Sequence, residues 1–265
     1  MKKTLLLATA FGIVSTAARA DITNPFYIPE KAFLSETKLS FGQKRLDAAV
    51  QSPKTGVLRS AKFRRMEEGI SYGITNTWAV YGSLGFDRTR QHDAGTLQAG
   101  DWSIGTKVNT VDEAWRIQIG ADISRKHYRR WRGVKNDTAK DTHLYLMAGT
   151  ETGERVFFYM RGDYHSIEYT DKRSYNLYEA TAAAHVTTDK GITADGGLTF
   201  SLDDIQGVRN RDLTVFAKGY KAINNAVSVG LEADYVLASE NSIKAAFAPD
   251  NQGSYSLGVA LKYEF

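Results

Sequence analysis

Asp163 and His165 stand two positions apart. In an extended chain that spacing puts a carboxylate and an imidazole on one face. Such a couple can orient and activate a water as a general base. Asp203-Asp204 is an acidic pair farther along the chain. His143 and His185 have no serine placed to make a nucleophile and base. The five histidines show no metal-ligand spacing, and no glycine-rich phosphate loop is present. No metal and no cofactor are expected, and a rim hydrogen bond is the role expected for His165. The sharpest charge feature is a basic run: Arg125, Lys126, Arg129, Arg130, Arg132 and Lys135, interleaved with His127, Tyr128 and Trp131, with no acid before Asp137. Guanidinium forks in such a run suit phosphate oxygens.

The elements that must carry these residues are legible in the last eleven positions. From Tyr255 to Phe265 the odd positions are Tyr255, Leu257, Val259, Leu261, Tyr263 and Phe265, and the even ones are small or charged. Strict alternation of this length marks a strand with one apolar and one polar face. Aromatics at both ends of the apolar face suit a strand that crosses a bilayer between two interfaces. At the other terminus, Lys2 and Lys3 precede an apolar stretch from Thr4 to Ala18 and an Ala18-Arg19-Ala20 cleavage site. That is a signal peptide, residues 1–20, with the mature chain starting near Asp21. Mean hydropathy is only −0.37, as expected when alternate residues alone face lipid. There is no cysteine in the 265 residues, so closure of the sheet must supply the stability that disulfides give many exported domains. The net charge of +4 is modest, and its distribution says more than its sum.

Alternation elsewhere predicts eleven further strands, at 33–43, 62–74, 78–86, 101–109, 114–124, 142–150, 155–166, 175–186, 192–202, 212–222 and 227–237. None of Pro25, Pro29, Pro53 and Pro249 falls inside one. Short connections follow the even strands and longer polar ones the odd strands. The fold class is therefore an all-β, twelve-stranded antiparallel transmembrane β-barrel over residues 33–265, behind a leader at 21–32 that lies on the periplasmic side as a rim segment or a plug. A soluble twelve-stranded barrel or sandwich would bury its apolar face instead; the signal peptide, terminal Phe and aromatic placement favour the membrane. One register is awkward. The parity of Ile70 and Tyr72 puts Glu68 on the lipid face near mid-depth, where a carboxylate is costly. Either a bulge at Glu67-Glu68 shifts the parity, or the upper half of that strand lies outside the hydrocarbon.

This architecture and the terminal strand resemble those of bacterial outer-membrane β-barrel proteins over the whole mature chain, without a motif that selects a subfamily. The resemblance implies a place in the outer membrane of a Gram-negative bacterium and recognition of the terminal strand by the barrel-assembly machinery. The Asp163, His165 and Asp203-Asp204 set is weakly similar to the rim of omptin proteases, which have ten strands. On an outer surface the basic run faces lipopolysaccharide phosphates, or steers anions to a pore mouth; nucleic acid fits the charge but not the location. The lumen is expected to be lined by Glu36, Lys38, Arg65, Arg116, Asp122, Arg155, Arg161, Asp163, His165, Glu179, Asp195, Lys218, Glu232 and Asp234. These mixed signs either pair into a network that fills the bore or line a thin aqueous path, since eight strands are just filled by side chains and twelve enclose more. The leading expectation is a monomeric channel or passive uptake protein for small polar solutes, with anionic solutes among the candidates. The alternatives are a rim enzyme of protease or lipase type, and an occluded structural or surface-interaction barrel.

Overall fold

The computed structural model describes residues 22–45, 60–91, 95–111, 115–129, 137–153, 155–169, 174–205, 208–241 and 252–265. Twelve strands form one closed antiparallel barrel, each paired with its sequence neighbours. They are β1 (Phe33–Arg45), β2 (Ser60–Gly73), β3 (Trp78–Gln91), β4 (Gly95–Val111), β5 (Arg116–Arg129) and β6 (Asp137–Glu151), then β7 (Val156–Tyr169), β8 (Ser174–Thr187), β9 (Ile192–Ile205), β10 (Val208–Ala222), β11 (Val227–Asn241) and β12 (Tyr255–Glu264). The closing seam runs from Leu34 opposite Glu264 to Gln43 opposite Tyr255. Phe33 and Phe265 exchange both backbone hydrogen bonds at 2.8 and 2.9 Å, so the final residue is tied into the ladder. The Phe33 ring stacks on Phe265 and leans on Tyr72 at 5.5 and 4.7 Å, one arc of the lower aromatic belt.

The exterior is apolar. Leu39, Leu84, Ile104, Ile119, Leu146, Met160, Leu198, Leu231 and Leu261 all stand exposed on the outer face, as lipid-facing residues must. The strands run longer than the alternation predicts. β3 and β4 stay paired up to Gln91 opposite Gly95, and β9 and β10 up to Ile205 opposite Val208. The expected loops at 87–100 and 203–210 are therefore mostly strand. Above the bilayer neither face is buried in lipid, so the apolar half of the pattern disappears while the ladder continues. A spanning strand needs only about ten residues, and the remainder stands above the membrane.

No bulge lies in β2. Its pairing runs unbroken from Tyr72 to Ser60 against β1 and from Lys62 to Gly73 against β3. The ladder shifts instead between β10 and β11, at Leu213/Thr214. Glu68 thus faces outward, opposite Thr37. It accepts hydrogen bonds from the hydroxyls of Ser35, at 2.8 Å, and Thr37.

The leader crosses the bore at the end that carries the short turns. At the end of β2 the Lys31 N–H donates to the Gly73 carbonyl and the Gly73 N–H to the Ala32 carbonyl, and any side chain at Gly73 would strike the Pro29 carbonyl. Tyr27 donates to Glu264 of β12 at 2.6 Å, and burial together with that carboxylate pushes its hydroxyl well above the ordinary tyrosine range. Asn109 of β4 donates to the Phe26 carbonyl at 2.6 Å. The Phe26 ring packs edge-on against Phe157 of β7 at 5.0 Å, with Met147 of β6 completing the cluster. Thr23 bonds Thr193 of β9 at 2.7 Å. Ile22, Phe26, Ile28 and Pro29 are all buried. Beside Ile22 and Thr23 a gap of about 70 Å³ remains, room for about two waters.

Candidate functional site in the barrel lumen

Strand parity delivers charged and aromatic side chains to the lumen, and two glycines decide how the aromatics lie. A Cβ at Gly120 would stand in the Tyr145 ring, and one at Gly105 would meet Tyr81 and Asp122. Both rings therefore lie flat over glycines of the neighbouring strand, and cover the wall without filling the bore.

The β3 to β8 wall holds the densest network. His143, buried at the centre, faces Asp122 with Nδ1 at 2.7 Å and Asp163 with Nε2 at 2.8 Å. Ionised carboxylates only accept, so both ring nitrogens donate and His143 is an imidazolium. Tyr81 donates to Asp122 at 2.8 Å. Arg161 holds Asp163 through Nε and Nη2 at 2.6 to 3.0 Å, and its guanidinium lies over Tyr145 at 4.2 Å. His165 stacks on His143 with ring centroids 4.1 Å apart and planes 1° from parallel. It bonds Asp141 at 3.0 Å and lies 3.9 Å from Glu179. His143, Asp163 and His165 bring ligand atoms within 4.8 Å of one another. Parallel stacked rings aim their in-plane lone pairs side by side, however, and the His143 nitrogens are engaged by carboxylates. The arrangement is a hydrogen-bonded network.

Two smaller networks occupy the rest of the wall. Arg65 reaches Glu67 at 2.9 Å, Asp87 at 3.1 Å and Asp101 at 3.0 Å. Glu232 takes Lys38 and the Tyr220 hydroxyl, while Lys262 lies 3.9 Å from Glu36 and over the Tyr220 ring. Lys218 stands over Phe216 at 5.8 Å. Asp195 is bound to buried His185 at 3.0 Å. Beside Lys38, Arg65, Asp234, Ser254 and Ser256 a cavity of about 280 Å³ stays open in the lumen. Lys107 of β4 enters the bore without an ion pair to a carboxylate among the described residues; it shares the electrostatic neighbourhood of Lys262 from β12, Arg161 from β7 and Glu36. A hydrogen-bonded relay joins the leader to the main network: Tyr145 donates to Gln118 at 2.9 Å, Gln118 to Asn109 at 2.7 Å, and Asn109 to Phe26.

Of the residues expected in the lumen, two lie lower. Arg155 precedes β7 and pairs with Asp189 on the adjoining turn, and Arg116 pairs with Glu151; both are exposed at the short-turn rim. Arg125, Lys126 and Arg129 lie on β5 rather than in a loop, while Arg130, Arg132, Lys135 and the signal peptide fall outside the described residues. Asp203 and Asp204 lie within β9, with Asn210 donating to Asp203, so no loop-borne acidic pair faces His165. Sequence reasoning passed over Tyr81, Asp141 and Tyr145, and weighed His143 and His185 only as bases for a serine. Outward Leu144 and Leu146 assign Asp141, His143 and Tyr145 to the lumen, and outward Val80 and Leu84 assign Tyr81.

No protein-family model matches the chain, and no curated protein matches its sequence. Among solved structures it is similar to an outer membrane channel from Pseudomonas putida F1, at 14% identity and a TM-score of 0.67 over 91% of this chain and 98% of that one. The beta domain of the Bordetella autotransporter BrkA aligns at 10% identity and a TM-score of 0.61, over 89% and 100%. The translocator domain of the autotransporter NalP from Neisseria meningitidis aligns at 10% and 0.58, over 89% of each chain. With its closed sheet and apolar exterior, the chain has the fold of the transmembrane β-barrels of the bacterial outer membrane.

Proposed function

We propose that the chain is a narrow outer-membrane channel that passes small polar solutes, anions in preference, and whose short-turn mouth is held closed by its own leader. Lys107 carries the reading. A lysine in a bore otherwise rich in ion pairs, with Lys262, Arg161 and Glu36 in its field and no ion pair to a carboxylate among the described residues, offers an anion a landing point. The open cavity beside Lys38 and Arg65 gives such a solute a path along the β11, β12, β1 and β2 wall. The Pseudomonas putida neighbour, itself an outer membrane channel, agrees with the reading. In planar bilayers under a salt gradient, the chain beginning at Ala32 shows discrete conductance steps and a reversal potential of anion sign, and Lys107→Glu moves that potential toward cation selectivity. A folded but silent barrel, or a potential unmoved by the substitution, refutes the channel reading.

For the outer surface we propose lipopolysaccharide as the lipid partner. Arg64 lies opposite Arg88, and Arg125 opposite Lys140, in cross-strand pairs. All four are exposed on the outward face of the upper wall. Like charges facing across a ladder repel, and a phosphate between them reverses the sign of the interaction. Replacing Arg64 and Arg88 by Gln reduces the lipopolysaccharide that copurifies with the barrel; unchanged copurification counts against that contact.

A further inference from the structure

Glu68 is the feature that neither the lumen nor the basic surface uses. It faces the lipid opposite Thr37, and Thr37 is four residues from Phe33 below and four from Phe41 above. That is about 13 Å along the strand in each direction, which places the carboxylate near the middle of an apolar band about 25 Å tall. Ser35 and Thr37 each donate one hydrogen bond to it, yet a carboxylate offers about four acceptor sites. Half its capacity therefore points at hydrocarbon. The other polar group at this level is closed within the chain: Thr106 accepts from Trp78 at 2.8 Å and donates to the Ala79 carbonyl at 3.0 Å. Around the rest of the belt this depth is filled by Ile119, Leu146, Met160, Leu198, Leu231 and Leu261. Leu84 stands directly opposite Glu68 on β3, and one step diagonally from the carboxylate Gly82 opposes Ile70, so the wall carries a bare spot there.

We propose that this patch, Ser35, Thr37, Glu68 and Gly82, is the centre of a two-fold interface with a second copy of the chain. Mid-depth in an outer membrane excludes water, lipid headgroups and exposed irregular chain, so whatever satisfies the carboxylate from outside the chain itself spans the membrane, as a closed barrel or a helix. A two-fold contact requires one patch that presents donors and acceptors together. This patch does: two hydroxyls that also accept, and a carboxylate with free lone pairs. Across the axis the Glu68 groups share a proton and take hydroxyls from one another's Ser35 and Thr37, and the flat surface at Gly82 lets the walls approach.

The chain has no cysteine, so a single Thr37→Cys reads the contact directly. Oxidation in outer membranes gives a disulfide-linked species of twice the chain mass from Thr37→Cys and none from Leu146→Cys, at similar depth on the far side of the barrel. In mild detergent the native chain sediments as a dimer. Glu68→Leu sediments as a folded monomer, because a leucine on the lipid face removes the reason to pair without disturbing the barrel. The proposal fails if Thr37→Cys stays monomeric while the native barrel has the mass of one chain. It fails equally if the crosslink joins a protein of different mass, or if Glu68→Leu leaves the dimer intact.

Discussion

A chain that begins at Ala32 conducts several-fold better in planar bilayers than the intact barrel. The leader is fastened to strands all round the mouth: β2 through Lys31, β12 through Tyr27, β4 through the Phe26 carbonyl, β7 through the Phe26 ring and β9 through Thr23. A segment tied at so many points around a ring covers its centre. Its occluding core is apolar, with Phe26, Met147 and Phe157 packed together, so water and ions find little to replace their hydration there. Removing the leader forfeits the burial of Ile22, Phe26 and Ile28, each worth about 1.5 to 3 kcal/mol. The closed ladder from Phe33 to Phe265 does not depend on it, and the shortened barrel still folds. Phe26→Ala gives an intermediate conductance, because it removes the ring while the polar ties remain. Equal conductance with and without the leader would place the constriction elsewhere.

The membrane-spanning half of the barrel is legible in the sequence because lipid enforces alternation. Leu144 and Leu146 have to point outward, and that alone places His143 and Tyr145 in the lumen. The upper wall is harder to read. Asp87 resembles a loop residue, and Asp101 only the first residue of a strand, because nothing above the bilayer demands an apolar face, yet both end on Arg65. Glu68 shows a different limit. Alternation places it correctly on the lipid side, and the cost of a charge there argues for a bulge; the hydroxyls of Ser35 and Thr37 that make the position tolerable belong to the neighbouring strand, and pairing register is not written in either strand alone. The partners of Asp163 illustrate the same point. Its sequence neighbour His165 turns to Asp141, while its bonds come from Arg161 and from His143 on the adjacent strand. The leader's role is the least legible, since twelve residues without periodicity have no face to assign.

His143→Leu destabilises the folded barrel by about 3 kcal/mol or more, the cost typical of removing one partner from a buried ionic network. The two carboxylates on His143 differ in what remains to them. Asp163 keeps two bonds from Arg161, whereas Asp122 keeps only the Tyr81 hydroxyl. The damage therefore concentrates on Asp122, a carboxylate with little solvent access. Adding Asp122→Asn to His143→Leu removes the stranded charge and recovers much of the loss, although Asp122→Asn alone is destabilising because it deprives the imidazolium of a partner. The sign of that coupling distinguishes a charge network from simple packing: two independent packing defects would add. Guanidinium unfolding in phospholipid vesicles, followed by tryptophan fluorescence, measures all four chains. Additive losses would mean that His143 fills space at the centre of the wall and that its two short contacts contribute no net electrostatic stability. Recovery would show that the lumen is held by ionic pairs whose members tolerate loss only together.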